Sequence, residues 1–387
     1  MNLRVAVVLG TTAGGTGRHA AMLSGACADA GALVRVFGPA SARALWPADS
    51  AQRSPLSPIG FDAVTITDRP RPVRDARAVL RLRRLLVAMR PDVVHAHGLR
   101  AGAFAALALW LGAPSSARRG GWRAALVVTV HNAPPSQPRL AAIYGVLERV
   151  VARRADVVLC VSPDLSDRMR GLGASNVRRA VVAAPELASV PADQVRAELG
   201  DHRRPVVLGV GRLAPQKGFG TLLAAAAMWR GRQPVPLVVI AGSGPLADDL
   251  ARQARELKVD ALFLGARADV AALLAAADVF VLPSRWEGQP LILAEALRAG
   301  RPIVAAKVGG IADLTGDDAA VLVPANDPAA LSRAVLAVLD DPELAGRLAA
   351  AASDRAACLP TAADAAAAVL RLYGEIGPPS GLGGEQR

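Results

Sequence analysis

The chain has 387 residues, 52% of them apolar, with 36 glycines, 28 prolines and only 3% aromatic side chains. That length and apolar content call for two packed domains and exclude a disordered or collagen-like chain, while the shortage of aromatics argues against stacking platforms for single-stranded nucleic acid. The net charge of +12 is almost all arginine, since Lys217, Lys258 and Lys307 are the only lysines; a GC-rich coding sequence gives such an excess unaided, and selection for an anionic partner gives it too. No recognised nucleic-acid-binding motif accompanies the charge, so no nucleic acid is expected as partner.

Val5–Leu9 is a continuous apolar run that meets Gly10, which reads as a buried parallel strand rather than a secretory signal. Further apolar runs follow at Leu33–Phe37, Val93-Val94, Leu126–Val130, Val157–Val161 and Val181-Val182, with Ala/Leu/Arg segments of helical period between several of them. This alternation predicts βαβ units around a parallel sheet. The pattern restarts after Pro205, with strands expected at Val206–Val210, Leu237–Ala241, Leu262–Leu264, Val279–Leu282, Ile303-Val304 and Val321–Val323. The first domain is expected over 1–185 and the second over 186–358, linked near Ala184–Pro191. Two helices are expected in Pro328–Cys358. A helix over 359–376 is expected to return to the first domain, and the Gly/Pro/Ser-rich tail 377–387 to be disordered. The cysteines Cys27, Cys160 and Cys358 are too sparse for a disulfide frame or a zinc site, which suits a reducing, cytoplasmic setting. The longest candidate span, Ala101–Ala113, is too short to cross a bilayer.

Several loops carry chemistry. Gly14-Gly15-Thr16-Gly17 follows the first strand and opens a helix, where backbone N–H groups can meet an anion. A dinucleotide fold would want an acid at the end of the second strand, and Val36-Phe37-Gly38-Pro39 has none. His95, His97 and His131 fall at the carboxyl ends of strands, the crevice side of an open sheet, without the acidic neighbours of a metal site. In the second half, Gly211-Arg212 through Lys217-Gly218 places two cations on a glycine-flanked loop that can close on a diphosphate. Pro283 to Pro290 is a strand end and loop, after which Leu291–Ala299 is a helix ending at Gly300, with Pro290 at its start. Its N-terminus faces an incoming phosphate favourably. Glu287 and Glu295 stand eight residues apart, the second in an otherwise apolar stretch.

Together these motifs resemble the retaining nucleotide-sugar glycosyltransferases of family 4, of GT-B architecture. The likeness runs from Val5 to about residue 350, through Gly211-Arg212…Lys217-Gly218, Gly242-Ser243-Gly244-Pro245, Glu287…Glu295 and Gly309-Gly310. The resemblance implies an α/β fold of two Rossmann-like α/β/α domains facing a central cleft. By the same token Arg212 and Lys217 would hold the donor diphosphate, Glu287 would sit near the donor sugar, and Glu295 would bind the ribose hydroxyls. Gly288, Gln289, Pro290 and Leu291 would present backbone groups to phosphate or sugar, Gly15 would meet the diphosphate, and His131 would lie at the reacting face. The Arg267 segment would border the base. Gln289, Asp313 and Ala320 depart from the residues usual at their positions, which bears on donor-sugar preference.

The implied reaction moves a sugar from a nucleoside diphosphate sugar to an acceptor hydroxyl, with no cofactor and no metal. Asp248-Asp249 and Asp317-Asp318 then read as cap or surface acids. Arg212→Ala or Lys217→Ala is expected to abolish transfer with the fold intact. Other readings of the same residues are a nucleotide-sugar epimerase of this architecture, a glycosidase using Glu287 and Glu295, and a non-catalytic sensor of the donor. The acceptor is unidentified, a lipid-linked or cell-envelope glycan being the candidate. On one helix Arg74, Arg77, Arg81 and Arg84 form a stripe with Val79, Leu82, Leu86 and Met89 opposite. That is either an ordinary solvated face or a peripheral contact with anionic lipid at the inner face of the plasma membrane.

Overall fold

The computed structural model describes residues 3–10, 15–46, 59–67, 70–112, 122–133, 138–183, 192–200 and 204–376. The proposed linker Ala184–Pro191, Gly14 and the tail 377–387 lie outside the described residues. The chain forms two compact units, Met1–Ala183 with Pro360–Arg387, and Ala184–Leu359.

Unit 1 runs β1 (Arg4–Leu9), α1 (Gly15–Asp29), β2 (Leu33–Gly38), β3 (Gly60–Ala63), α2 (Pro72–Met89), β4 (Val93–His97), α3 (Leu99–Gly112), β5 (Ala125–Val130), α4 (Pro138–Arg154), β6 (Val157–Cys160), α5 (Pro163–Gly171) and β7 (Val177–Arg179). Its sheet is parallel, in the order β3-β2-β1-β4-β5-β6-β7. The chain winds outward from β1 to β3, then returns to the other side of β1, so the switch point lies between β1 and β4. Central strands β4 and β5 are buried along their whole length, whereas β3 and β7 at the edges are half open. This is why the central strands read as unbroken apolar runs. The expected strand at Val181-Val182 is not one: the seventh strand is Val177–Arg179. Val182 is buried without pairing, so an apolar pair here marks burial and not a ladder.

Unit 2 runs α6 (Ala192–Glu198), β8 (Val206–Val210), α7 (Phe219–Ala226), β9 (Leu237–Ala241), α8 (Ala247–Glu256), β10 (Ala261–Gly265), α9 (Val270–Ala276), β11 (Val279–Leu282), α10 (Leu291–Arg298), β12 (Ile303–Ala306), α11 (Ile311–Thr315), β13 (Val321–Val323), α12 (Pro328–Asp340) and α13 (Pro342–Ala357). Its parallel sheet has the order β10-β9-β8-β11-β12-β13, with the switch point between β8 and β11. Apolar clusters fill both faces of the sheet. Asp327 and Asp341 cap α12 and α13 by accepting from Ala330 and Leu344 N–H at 2.9 Å, each followed by a proline that has no N–H to leave unpaired.

The last helix, α14 (Ala362–Ile376), belongs to unit 1 and packs on α1. Thr361 and Asp364 cap it reciprocally: Thr361 N–H donates to the carboxylate at 2.9 Å and Asp364 N–H to the hydroxyl at 3.2 Å. The amino ends of both sheets share a device. Asp92, Asp156 and Asp278 each precede a strand and accept the N–H of Arg4, Leu126 and Val206 on the neighbouring one.

Candidate functional site

In open parallel sheets, ligands bind outside the carboxyl ends of the strands at the switch point. In unit 2 those ends carry Gly211–Gly218 after β8 and Pro283–Pro290 after β11. The two loops are tied together. Arg285 N–H donates to the Gln216 carbonyl at 2.8 Å, and the Gln216 amide donates to the Trp286 carbonyl at 2.9 Å. Lys217 Nζ donates to Glu287 Oε1 at 2.6 Å, and Ser284 Oγ donates to the same oxygen at 2.6 Å. The Lys217 and Glu287 side chains are 17% and 6% exposed, so the pair is largely shielded from water and holds the ammonium in one place. Arg212 is exposed, and its side chain has no hydrogen bond or ion pair among the described residues. Its guanidinium is therefore uncommitted beside a fixed ammonium on the same loop.

Such close packing needs glycine at two positions. Gly218 has φ +66°, and a Cβ there would stand 2.0 Å from the Pro283 carbonyl oxygen. Gly309, with φ +52°, would place one 1.7 Å from the Glu287 carbonyl oxygen. Only glycine adopts this backbone without strain while letting another chain approach so near. Gly310 N–H then donates to the Gly288 carbonyl at 3.0 Å, binding the loop after β12 to the loop after β11.

Pro290 is the N-cap of α10, and Leu291 its first residue. The first turn leaves N–H groups outside the helix's own ladder, at the positive end of its dipole. Gly288 and Pro290 are buried, while Gln289 and Leu291 are half-buried. Glu295 lies one turn further in, 8% exposed, within a stretch of the helix, Leu293 to Leu297, that is buried at every position. Arg267 stands apart. It follows β10, the edge strand two places from β8. Its guanidinium donates to both Asp269 oxygens, at 2.7 and 2.5 Å, and to Glu198 at 3.2 Å. These carboxylates hold its pKa above the usual range. The side chain is engaged by these carboxylates, and no hydrogen bond or ion pair among the described residues joins it to Lys217 or Glu287. Asp248 and Asp249 are exposed in the first turn of α8, and Asp317 and Asp318 are exposed also.

Unit 1 gathers a different set at its own switch point. Strand periodicity places Val93, His95 and His97 of β4 on one face, beside Val127 and Thr129 of β5. That face is covered by α1 and α14. His95 is fully buried between two partners, the Tyr373 hydroxyl at 2.6 Å from Nδ1 and Thr129 Oγ1 at 2.7 Å from Nε2. Burial pushes the Tyr373 phenol well above its usual pKa, so it keeps its proton, and each ring nitrogen of His95 faces a hydroxyl that can either donate or accept. His97 Nδ1 and His131 Nε2 share a hydrogen bond at 3.2 Å. His97 stacks on His95 at 4.3 Å, and His19 of α1 meets His97 and His131 edge-on at 5.8 and 5.7 Å. Burial, followed for His95, His97 and His131 by repulsion between neighbouring rings, keeps all four imidazoles neutral. His19 is lowered to about 4, His95 to about 3, and His97 and His131 lie well below the usual value. Gly15 is the first residue of α1 and half-buried.

Residues 14–185 match the family model of the glycosyl transferase 4-like domain, and residues 192–355 that of the glycosyl transferases group 1. The chain belongs to the family 4 glycosyltransferases. It is 34% identical over 247 residues to the alpha-D-kanosaminyltransferase of Streptomyces kanamyceticus, a match that covers 59% of this chain and 63% of that protein. It is 33% identical over 297 residues to the glycogen synthase of Mycobacterium tuberculosis, covering 72% and 68%. Among solved structures, the Anabaena protein HepE in complex with UDP-glucose matches 97% of this chain and 100% of that one with a TM-score of 0.79. At 19% identity that likeness is one of fold, GT-B. For this family 4 chain, the loops after β8 and β11 were legible from their motifs. Ser284, His19 and Tyr373 were not singled out. Ser284 is adjacent to a recognised motif, whereas His19 and Tyr373 come from helices whose docking no local pattern reports.

Proposed function

We propose that this chain transfers a sugar from a nucleoside diphosphate sugar to an acceptor hydroxyl, with retention at the anomeric carbon and without a metal. The observation that carries this reading is the Lys217–Glu287 pair at the switch point of unit 2, on two loops of which the first also carries Arg212 and the second leads into α10. A fixed ammonium, an uncommitted guanidinium on the same loop and a helix N-terminus are suited to a leaving diphosphate, whose charge grows as the bond from the anomeric carbon to the phosphate oxygen breaks. The acceptor oxygen forms the new bond on the same face, and its proton passes to a diphosphate oxygen. Arg212 and Lys217 supply the charge neutralisation that a metal supplies elsewhere. Glu287 orients Lys217, and Glu295 binds the ribose. Gln289, through its backbone and that of Gly288 and Leu291, faces phosphate or sugar. His131 and Gly15 serve the reacting face from unit 1, and Arg267 borders the base through its segment's backbone, since its guanidinium is engaged. A glycosidase would leave the ammonium on Glu287 without work.

Uridine diphosphate glucose, the ligand in HepE, is the first donor to test, with guanosine diphosphate mannose second. The acceptor is a lipid-linked or cell-envelope glycan, met from the cytoplasmic side at an anionic membrane. The decisive variant is Arg212→Ala. An exposed, uncommitted arginine leaves no buried charge behind, so melting should be unchanged while transfer falls by about a hundredfold or more. Full activity in that variant would refute the role. Lys217→Ala is a less clean test, contrary to the expectation from sequence. It strands Glu287 in a shielded site, at a cost on the order of 3 kcal/mol.

A further inference from the structure

Helices α2, α3 and α4 lie side by side as one layer of unit 1, with α3 in the middle. Among the described residues ten large apolar side chains are exposed, and eight of them stand on this layer. On α2 the centre of the outward face is the line Val73, Arg77, Leu80, Arg84, Val87, at the three- and four-residue spacing of one helical face. All five are exposed. Val79, Leu82, Leu86 and Met89 are buried beneath. The arginine stripe read from sequence is thus a line of alternating apolar and cationic side chains, with Arg74 and Arg81 on one flank.

The neighbours extend the same pattern. Leu107, Trp110 and Leu111 project from α3, and Ile143 and Val146 from α4. A groove of about 390 Å³ lies between these two helices, rimmed by Arg149, Arg153 and Arg154. The Arg154 guanidinium stands 5.7 Å from the Trp110 ring centre. Carboxylates are nearly absent. The three helices contain only Asp75 and Glu148. Asp75 is paired with Arg100 at 2.8 Å, and Glu148 is 1% exposed and takes two bonds from Arg168. No acid on the layer offsets its outward arginines.

We infer that the outer face of α2, α3 and α4 is a docking surface for an anionic lipid bilayer, into whose headgroup region its apolar side chains insert. Three features favour a bilayer over a folded protein. The apolar groups are single side chains spread across a layer about 20 Å long, as reckoned from the helical rise between Val73 and Val87. Val73, Leu80 and Val87 alternate with arginines, and Trp110 stands beside Arg154, whose stems can lie along the apolar region while their heads reach phosphate. Trp110 has the amphipathic ring that settles at a membrane interface. The surface stands on its own geometry, and it supplies the membrane partner named in the functional proposal.

The test is co-sedimentation with vesicles of phosphatidylglycerol and of phosphatidylcholine, without donor or acceptor. The wild-type chain should bind the first and not the second, with binding weakened by salt. Arg77→Glu with Arg84→Glu should weaken it by about tenfold or more. Leu80→Ser with Trp110→Ser should weaken it comparably, although no charge changes. Trp emission should shift to the blue on phosphatidylglycerol, and not in Trp110→Phe. Equal binding to both vesicles, no binding, or apolar variants that bind like wild type would overturn the inference. So would a concentration-dependent dimer that buries Trp110 without lipid. Nucleotide-induced thermal stabilisation should persist in every variant, which separates failure of this surface from failure of the donor site.

Discussion

Mild acid should unfold unit 1 before unit 2. Imidazoles in an unfolded chain take up a proton near the ordinary value of 6.5, whereas in the fold His19 resists until about 4 and His95 until about 3. Between those limits the unfolded state binds more protons than the native state, so stability is lost as pH falls below 6.5. At pH 5 the loss is about 2 kcal/mol for each of these two residues, at roughly 1.4 kcal/mol per unit. His97 and His131 add to it in the same direction. A sum of about 4 kcal/mol or more is a large part of the 5–15 kcal/mol that holds a typical domain together. The described residues of unit 2 contain no histidine. Denaturant unfolding at pH 7, 6 and 5, followed by hydrogen exchange read by mass spectrometry, locates the loss. Stability unchanged between pH 7 and 5, or a loss that begins in unit 2, would refute the burial of this cluster.

Other consequences follow from the same geometry. Tyr373→Phe removes the 2.6 Å partner of His95 Nδ1 and keeps the ring, so the cost should be that of one unpaired buried nitrogen, about 1–3 kcal/mol in urea titration. Gly218→Ala should cost about 2 kcal/mol or more and abolish nucleotide binding, because its Cβ collides with the Pro283 carbonyl and drives the β8 loop away from Glu287; a variant that melts and binds like wild type would show that the loops can separate freely. In the native chain only Cys358 should react with a thiol reagent at neutral pH. Cys27 and Cys160 are buried, with thiols pushed up to about 12 and about 11, and should react only after unfolding.

Central strands were legible in the sequence because burial on both faces leaves no polar alternation, as in Val5–Leu9 and Val206–Val210. Edges were not. Gly60–Ala63 is short and half open, and Val177-Arg178-Arg179 carries two exposed arginines, so neither stands out from loop composition. The apolar Val181-Val182 drew the assignment instead. In the site, the glycine and charge motifs after β8 and β11 were legible because close loop packing and anion binding demand particular residue types. The strand-end histidines were visible as well. Their surroundings were not, since His19 and Tyr373 reach them from α1 and α14, the latter more than two hundred residues further along the chain. The arginine stripe on α2 was legible from helical period, but the exposure of Val73, Leu80 and Val87 among those arginines depends on how α2 packs.

The central claim is that unit 2 binds a nucleoside diphosphate sugar between Arg212, Lys217, Glu287 and Glu295. A thermal-shift screen tests it most directly, with uridine, guanosine and adenosine diphosphates and their common sugar conjugates, run on wild type and on Glu295→Ala. One nucleotide series should raise the melting temperature of the wild type and not that of the variant. No shift with any nucleotide from folded protein, or the same shift in Glu295→Ala, would contradict it.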